Sequence, residues 1–110
     1  MRIALGADHG GYELKDALVR HLRELGHEVT DYGTHSADSV DYADYANQVA
    51  ADLRDGLADR GVLVCCSGIG VAIAAGRFSG VRAATVRSIG EVEMTRQHND
   101  ANVICLGAHH

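Results

Sequence analysis

Five short apolar runs alternate with segments of helical periodicity along this 110-residue chain, and this alternation limits the possible folds more than any other feature. The runs read RIALGA, HEVTDYG, GVLVCC, VRAATV and NVICLG, and their composition is typical of buried strands. Strands separated by helices form parallel sheets with helices on both faces and right-handed crossovers. The sequence therefore predicts a single α/β domain over residues 1–110, built on a five-stranded parallel sheet.

The segments between the runs predict four helices. Gly26 is expected to end the first helix as a C-terminal cap. A second helix is predicted over residues 41–57, and shorter helices over 70–78 and 88–98. The inward residues at helical spacing are predicted to be Leu14, Leu18, Leu22 and Leu25 in the first helix, and Tyr45, Val49 and Leu53 in the second.

No helical segment follows the last apolar run. We therefore expect one side of the final strand to be bare unless further chain or a partner chain covers it.

Composition excludes several classes of function. The net charge is −5 and the basic residues form no cluster, which disfavours nucleic acid as a partner. No apolar run is long enough to cross a bilayer, so no membrane role is expected. Three cysteines without C-x-x-C spacing, and a start unlike a signal peptide, indicate a reduced, cytoplasmic setting.

Ligands of open parallel sheets bind at the carboxyl ends of the strands, and this rule selects candidate residues. The most informative end is Cys65-Cys66-Ser67-Gly68-Ile69-Gly70, where an apolar run delivers thiols, a hydroxyl and glycines to one turn. Backbone N–H groups at a helix start favour a bound or developing anion, and the same field favours a thiolate. The first strand delivers Asp8 and His9 to the same edge. A thiolate beside amide donors can abstract a proton next to a carbonyl.

Each candidate also has an ordinary structural interpretation. Cysteines are often small core residues, and Cys105 within VICLG is expected to be one. Asp8 could be a helix N-cap, and His9 could be an exposed loop residue. His98 near a helix C-terminus would be stabilised there as a cation by the helix dipole. Tyr42 is more often a core or rim residue than a substrate contact.

The same residues include partial signals for other chemistries. Gly68-Ile69-Gly70 resembles the start of a dinucleotide fingerprint, but Ile73 occupies the place of its third glycine. Adjacent cysteines chelate one zinc ion poorly, and nothing local supports a Cys-His hydrolase. A thiol redox protein would use Cys65 and Cys66 as a reversible vicinal disulfide.

Four motifs in register carry a family resemblance. GADHGG, DY-x-x-YA from Asp41 to Ala46, CCSGIG and TRQHNDANV together resemble the B-type ribose-5-phosphate isomerases and their galactose-6-phosphate isomerase relatives. The resemblance covers nearly all of the chain. It implies a Rossmann-like α/β/α sandwich, a homodimer or dimer of dimers, and no metal or other cofactor. The implied activity interconverts aldose and ketose phosphates, with ribose 5-phosphate and ribulose 5-phosphate as the first choice of substrate pair.

The resemblance also implies a role for each matching residue. Cys65 matches the base that moves a proton between C1 and C2 through an enediolate, and Ser67 matches a hydroxyl that assists at the substrate oxygens. His98 matches the residue that opens the sugar ring, supported by Asp8. The substrate-binding positions are His9 on the phosphate side, Tyr42, the amides of Cys66, Gly68, Ile69 and Gly70, and Asn99 contributed by a neighbouring subunit.

The chain departs from the family pattern at several positions. Cys66 stands where glycine is common, and Val71-Ala72-Ile73 stands where some relatives carry a glutamate base. His109 replaces a frequent arginine, and Gly76 replaces a frequent asparagine. The family's C-terminal helix, which carries phosphate-binding arginines, is expected to be missing. These departures leave an alternative open, a non-catalytic sugar-phosphate-binding or assembly module.

Overall fold

All five predicted strands form, and they lie in one parallel sheet. The computed structural model describes residues 1–109. The strands are β1 (Arg2–Ala7), β2 (Glu28–Asp31), β3 (Arg60–Cys65), β4 (Ala83–Thr85) and β5 (Val103–Gly107).

The strand order is β2-β1-β3-β5-β4, so the last strand is inserted between β3 and β4. Cys65 therefore pairs in register with Gly107 at the carboxyl edge of the sheet. On β5, Val103 and Cys105 are buried, whereas Ile104 and Leu106 on the opposite face are only half-buried. In the sheet, β5 has a strand neighbour on each side, so neither of its edges is bare. The expected exposure is limited to one face of β5, and it is only partial.

Helices cover both faces of the sheet. They are α1 (Tyr12–Glu24), α2 (Tyr42–Arg54), α3 (Ile69–Ala75) and α4 (Ile89–Met94), and a π-helical turn, Thr95–Asn99, continues α4. The larger core cluster packs α2 and α3 against one face, and a smaller cluster of Ile3, Leu5 and Val19 lies beneath α1 on the other. This arrangement confirms the predicted α/β/α sandwich.

The predicted buried face of α1 is partly wrong. Lys15 and Val19 are its buried residues, whereas Leu14 is 37% exposed and Leu25 is 61% exposed. Leu25 lies past the last helical turn, where Gly26 at φ +91° reverses the chain, as predicted. The leucine spacing did not indicate that Lys15 is buried. An ammonium can occupy a buried position in place of an apolar side chain when carboxylates surround it.

No helix within residues 1–109 is both long enough and apolar enough to span a membrane.

Candidate active site

The loop from β3 to α3 depends on Gly68. This residue adopts φ +77°, a left-handed conformation that favours glycine, and it is the N-cap of α3. A Cβ atom at this position would lie 2.9 Å from the carbonyl carbon of Leu106. The loop therefore turns tightly against the end of β5.

The Cys65 thiol lies inside this turn. Its Sγ accepts a hydrogen bond from the Gly68 N–H at 3.1 Å, and the residue is 5% exposed. The side chain belongs to the larger core cluster, as its ordinary interpretation predicts, and it also contacts a loop amide. A backbone donor of the loop is thus directed at the sulfur. The role of Cys65 as a base stays a prediction.

Cys105 lies in the same core cluster as Cys65 but has no exposed surface. It is fully buried in the larger core cluster, as the sequence predicts. Burial, with a smaller contribution from nearby Cys65, raises the pKa of Cys105 to about 12.

The rest of the loop is held by hydroxyl groups. The Ser67 Oγ accepts a hydrogen bond from the Ile69 N–H at 3.2 Å, which leaves its own O–H proton available as a donor. Thr85, at the end of β4, donates its hydroxyl to the Gly68 carbonyl at 2.7 Å. Sequence reasoning missed Thr85, although its place at a strand's carboxyl end could have indicated it. The Cys66 side chain is exposed.

The β1–α1 loop lies beside this turn. Its Asp8 is 9% exposed, and the Asp8 carboxylate accepts a hydrogen bond from the Gly10 N–H at 2.9 Å. The N-cap interpretation of Asp8 is wrong, because the N-cap of α1 is Gly11 and the helix begins one residue later. A Cβ atom at Gly10 would lie 3.6 Å from the Cys66 Cβ, so the two loops touch.

His9 is exposed, as its ordinary interpretation predicts, but its ring is oriented by a backbone group. Its Nδ1 accepts a hydrogen bond from the Val40 N–H at 3.2 Å. A backbone amide can only donate, so the neutral ring carries its proton on Nε2. A cleft of about 380 Å³ adjoins this ring, and it is lined by His9, Gly10, Tyr12, Glu13, Leu14, Ala37, Ala108 and His109.

Tyr42 borders the glycine-rich loop from α2. It is 41% exposed, and a Cβ atom at Gly70 would lie 2.9 Å from the Tyr42 Cζ. Tyr42 is thus a rim residue whose ring lies against the loop, and only glycine at position 70 leaves room for it.

His98 and Asn99 belong to neither of these loops. Both are exposed in the π-helical turn that follows α4. Asp100, at φ 49°, ends that turn and forms ion pairs with Arg82 and Arg96. Within the described part of the chain, neither His98 nor Asn99 hydrogen-bonds to Asp8, Cys65 or Ser67.

The carboxyl edge of the sheet thus brings a thiol, a carboxylate, a hydroxyl and an imidazole onto two touching loops. These groups can accept and donate protons beside backbone amides. The fold is that of an α/β protein, and this edge of the sheet is its candidate small-molecule site.

Comparison with known proteins identifies the family. The sequence model of the Ribose/Galactose Isomerase family matches residues 3–110. The chain is 45% identical over 107 residues to ribose-5-phosphate isomerase B of Escherichia coli, covering 97% of this chain and 72% of that protein. The chain belongs to the ribose/galactose isomerase family.

Solved structures agree with this assignment. Ribose-5-phosphate isomerase B of Clostridium thermocellum superposes with a TM-score of 0.97 at 44% identity, covering 99% of this chain and 74% of that one. The type B enzyme of Trypanosoma brucei gives a TM-score of 0.93 at 48% identity, covering 98% and 74%.

Proposed function

We propose that this chain interconverts ribose 5-phosphate and ribulose 5-phosphate, with Cys65 as the base. The observation that carries the proposal is the hydrogen bond from the Gly68 N–H to the Cys65 Sγ at 3.1 Å. A backbone donor thus already lies against the proposed base, at the sheet edge where ligands of such folds bind. The family assignment and the names of the similar proteins support the same reaction.

The proposed proton transfer begins on the open-chain aldose. The Cys65 thiolate takes the proton from C2, and the electron pair moves toward the C1 carbonyl oxygen to form the enediolate. The thiol then returns the proton to C1, while a proton passes between the two substrate oxygens with the assistance of the Ser67 hydroxyl. Negative charge moves from sulfur to oxygen in the first step, so amide donors of the loop stabilise the charge before and after the transfer.

Two of those amides are already engaged in the ligand-free loop. The Gly68 N–H donates to the Cys65 Sγ and the Ile69 N–H donates to the Ser67 Oγ. In the proposal, protonation of the sulfur weakens the first of these bonds, which frees the Gly68 N–H for the substrate oxygen. The amides of Cys66 and Gly70 complete the proposed set of donors.

The remaining residues are assigned to binding and ring opening. The His9 Nε2–H is proposed to bind the phosphate, since Val40 fixes the ring with this donor free. Tyr42 is proposed to contact the sugar from the rim of the loop. His98, with Asp8 in support, is proposed to open the sugar ring, and Asn99 is proposed to reach the site of a neighbouring subunit. The exposure of Asn99 supports action across such an interface.

The proposal extends to assembly and setting. The chain is proposed to be one sugar-phosphate isomerase domain that works as a homodimer or a dimer of dimers, with no metal or other cofactor. Its three free cysteines favour the reducing cytoplasm, where the pentose phosphate pathway operates on these substrates.

A coupled assay of ketose formation tests the proposed function. The purified 110-residue chain is assayed with four- to six-carbon aldose phosphates, and calorimetry measures binding of the same sugars. We expect turnover of ribose 5-phosphate at a higher kcat/KM than the other sugars. Binding without turnover would overturn the proposal and favour a non-catalytic sugar-phosphate-binding module.

A further inference from the structure

The one lysine of this chain, Lys15, is fully buried. Its Nζ donates hydrogen bonds to the Asp16 Oδ1 at 2.6 Å and to the two carboxylate oxygens of Asp31 at 2.9 and 3.1 Å. The His35 Nδ1 lies 3.4 Å from the same nitrogen. A buried ammonium is costly unless it is paired and hydrogen-bonded, and these partners satisfy it.

The partners of Lys15 are residue types that also bind metal ions. Asp16, Asp31 and His35 bring ligand atoms within 4.8 Å of one another. The Lys15 Nζ lies within hydrogen-bond distance of all three residues, so the cation that this cluster holds is the ammonium.

The cluster is connected to the chain that follows β2. The Asp31 Oδ1 also accepts a hydrogen bond from the Gly33 N–H at 2.9 Å. The Gly33 carbonyl in turn accepts from the Ala7 N–H at 2.8 Å, and the Thr34 N–H donates to the Ala7 carbonyl at 2.8 Å. The ammonium thus fixes the carboxylate at the point where this segment joins the end of β1.

The other end of this segment reaches the candidate active site. The Val40 N–H donates to the His9 Nδ1 at 3.2 Å, and Ala37 lines the same cleft as His9. Residues 33–40 are therefore tied at both ends to the neighbourhood of the β1–α1 loop.

We propose that Lys15 is a positioning residue for His9. It holds Asp31, which fixes the start of segment 33–40, and the Val40 N–H at the end of that segment orients the imidazole with its Nε2–H free. The kinetic consequence rests on the proposed function of His9 in phosphate binding. The orientation of the His9 ring by Lys15 does not depend on that proposed function.

Kinetics of two variants test the consequence for substrate. Lys15→Met removes the ammonium charge and keeps a side chain of similar length. Asp31→Asn weakens the contact between residue 31 and the Lys15 ammonium, which Asp16 still pairs. Both variants are expected to raise KM for ribose 5-phosphate about tenfold, which corresponds to about 1.4 kcal/mol of binding free energy. The value of kcat should change less than about twofold, because other contacts hold the β3–α3 loop that carries Cys65. The matched control is Arg2→Met, which breaks the exposed Arg2–Asp59 pair, and it should leave both constants unchanged. An unchanged KM in the folded variants, or a loss confined to kcat, would overturn the proposal.

Imidazole ¹⁵N NMR of His9 provides a readout independent of turnover. At about pH 8, where histidines are largely neutral, wild type should show one tautomer with the proton on Nε2. Lys15→Met or Asp31→Asn should show a mixture of both tautomers, and a single retained tautomer would overturn the proposal. If Lys15→Met does not fold, Asp31→Asn decides the question. A wild-type chain without turnover would contradict the proposed function, while the tautomer measurement would still test the role of Lys15.

Discussion

At the scale of single residues, the environment of a side chain separates groups that the sequence cannot distinguish. Cys65 and Cys105 both lie in apolar strands and in the larger core cluster, yet Cys65 accepts a hydrogen bond from a loop amide whereas Cys105 is fully buried. The orientation of the His9 ring cannot be predicted from the sequence either, because the Val40 N–H that orients it lies 31 positions away along the chain. The sequence predicts which residue types lie at the strand ends. It does not predict these hydrogen bonds, because they form only between loops that are already folded.

His9→Asn is expected to weaken substrate binding with little effect on chemistry. The asparagine oxygen can still accept from the Val40 N–H, but the donor at Nε2 is lost. A hydrogen bond to a charged group contributes about 1.5–3 kcal/mol, so KM for ribose 5-phosphate should rise tenfold or more. Steady-state kinetics measure this, with His21→Asn on the exposed end of α1 as the control. Equal KM values for His9→Asn and wild type would show that this imidazole does not bind substrate.

At the scale of elements, the β3–α3 loop is the part of the fold that most depends on close backbone approach. Gly68 meets the backbone of β5, Thr85 bonds to the Gly68 carbonyl, and Tyr42 lies against Gly70. The glycines were visible in the sequence as a strand–turn–helix signal. Their partners were not, because those partners come from β4, β5 and α2.

Gly68→Ala and Gly80→Ala form a matched pair that isolates this close approach. Both glycines have φ +77°, but a Cβ atom would lie 2.9 Å from the Leu106 carbonyl carbon at position 68 and would meet nothing within 4 Å at position 80. Gly80→Ala should cost only the backbone strain, about 1–2 kcal/mol. Gly68→Ala should cost at least about 1 kcal/mol more, since overpacking adds to the strain. Urea unfolding of both variants compares them, and equal losses would show that the loop does not need the contact with β5.

At the scale of the whole molecule, the sequence predicted the class of fold but not the order of its strands. Apolar runs and helical spacing are local signals, so five strands and four helices could be identified along the chain. The insertion of β5 between β3 and β4 is set by packing between distant elements, and it places Gly107 beside Cys65. The buried face of α1 was mispredicted for the same reason, since the carboxylate Asp31 that pairs with Lys15 comes from β2.

The stability of the fold is expected to fall in alkaline solution. A hydrogen bond to Asp52, together with burial, raises the pKa of Tyr32 from 10.0 to about 12, and burial raises the pKa of Cys105 from 9.0 to about 12. Both groups lose protons more readily in the unfolded chain, so their stabilisation is complete below the unfolded pKa values and is lost as pH rises through the folded ones.

Urea unfolding between pH 8 and 11 should therefore show a decreasing free energy of unfolding, with the decline beginning above about pH 9. Tyr32→Phe should make the decline above about pH 10 shallower, at a cost of about 1 kcal/mol at neutral pH for the lost hydrogen bond. A free energy of unfolding that stays constant or rises over this range would contradict the environments assigned to Tyr32 and Cys105.

The rate of ketose formation by Cys65→Ala tests whether this thiol is the base. A general base contributes about 10²–10⁴-fold to a rate, so we expect a loss of kcat in this range while the variant stays folded and binds ribose 5-phosphate. Cys105→Ala, which removes a buried thiol outside the loop, should lose stability and keep its turnover per folded molecule. Wild-type turnover by folded Cys65→Ala would contradict the assignment of Cys65 as the base.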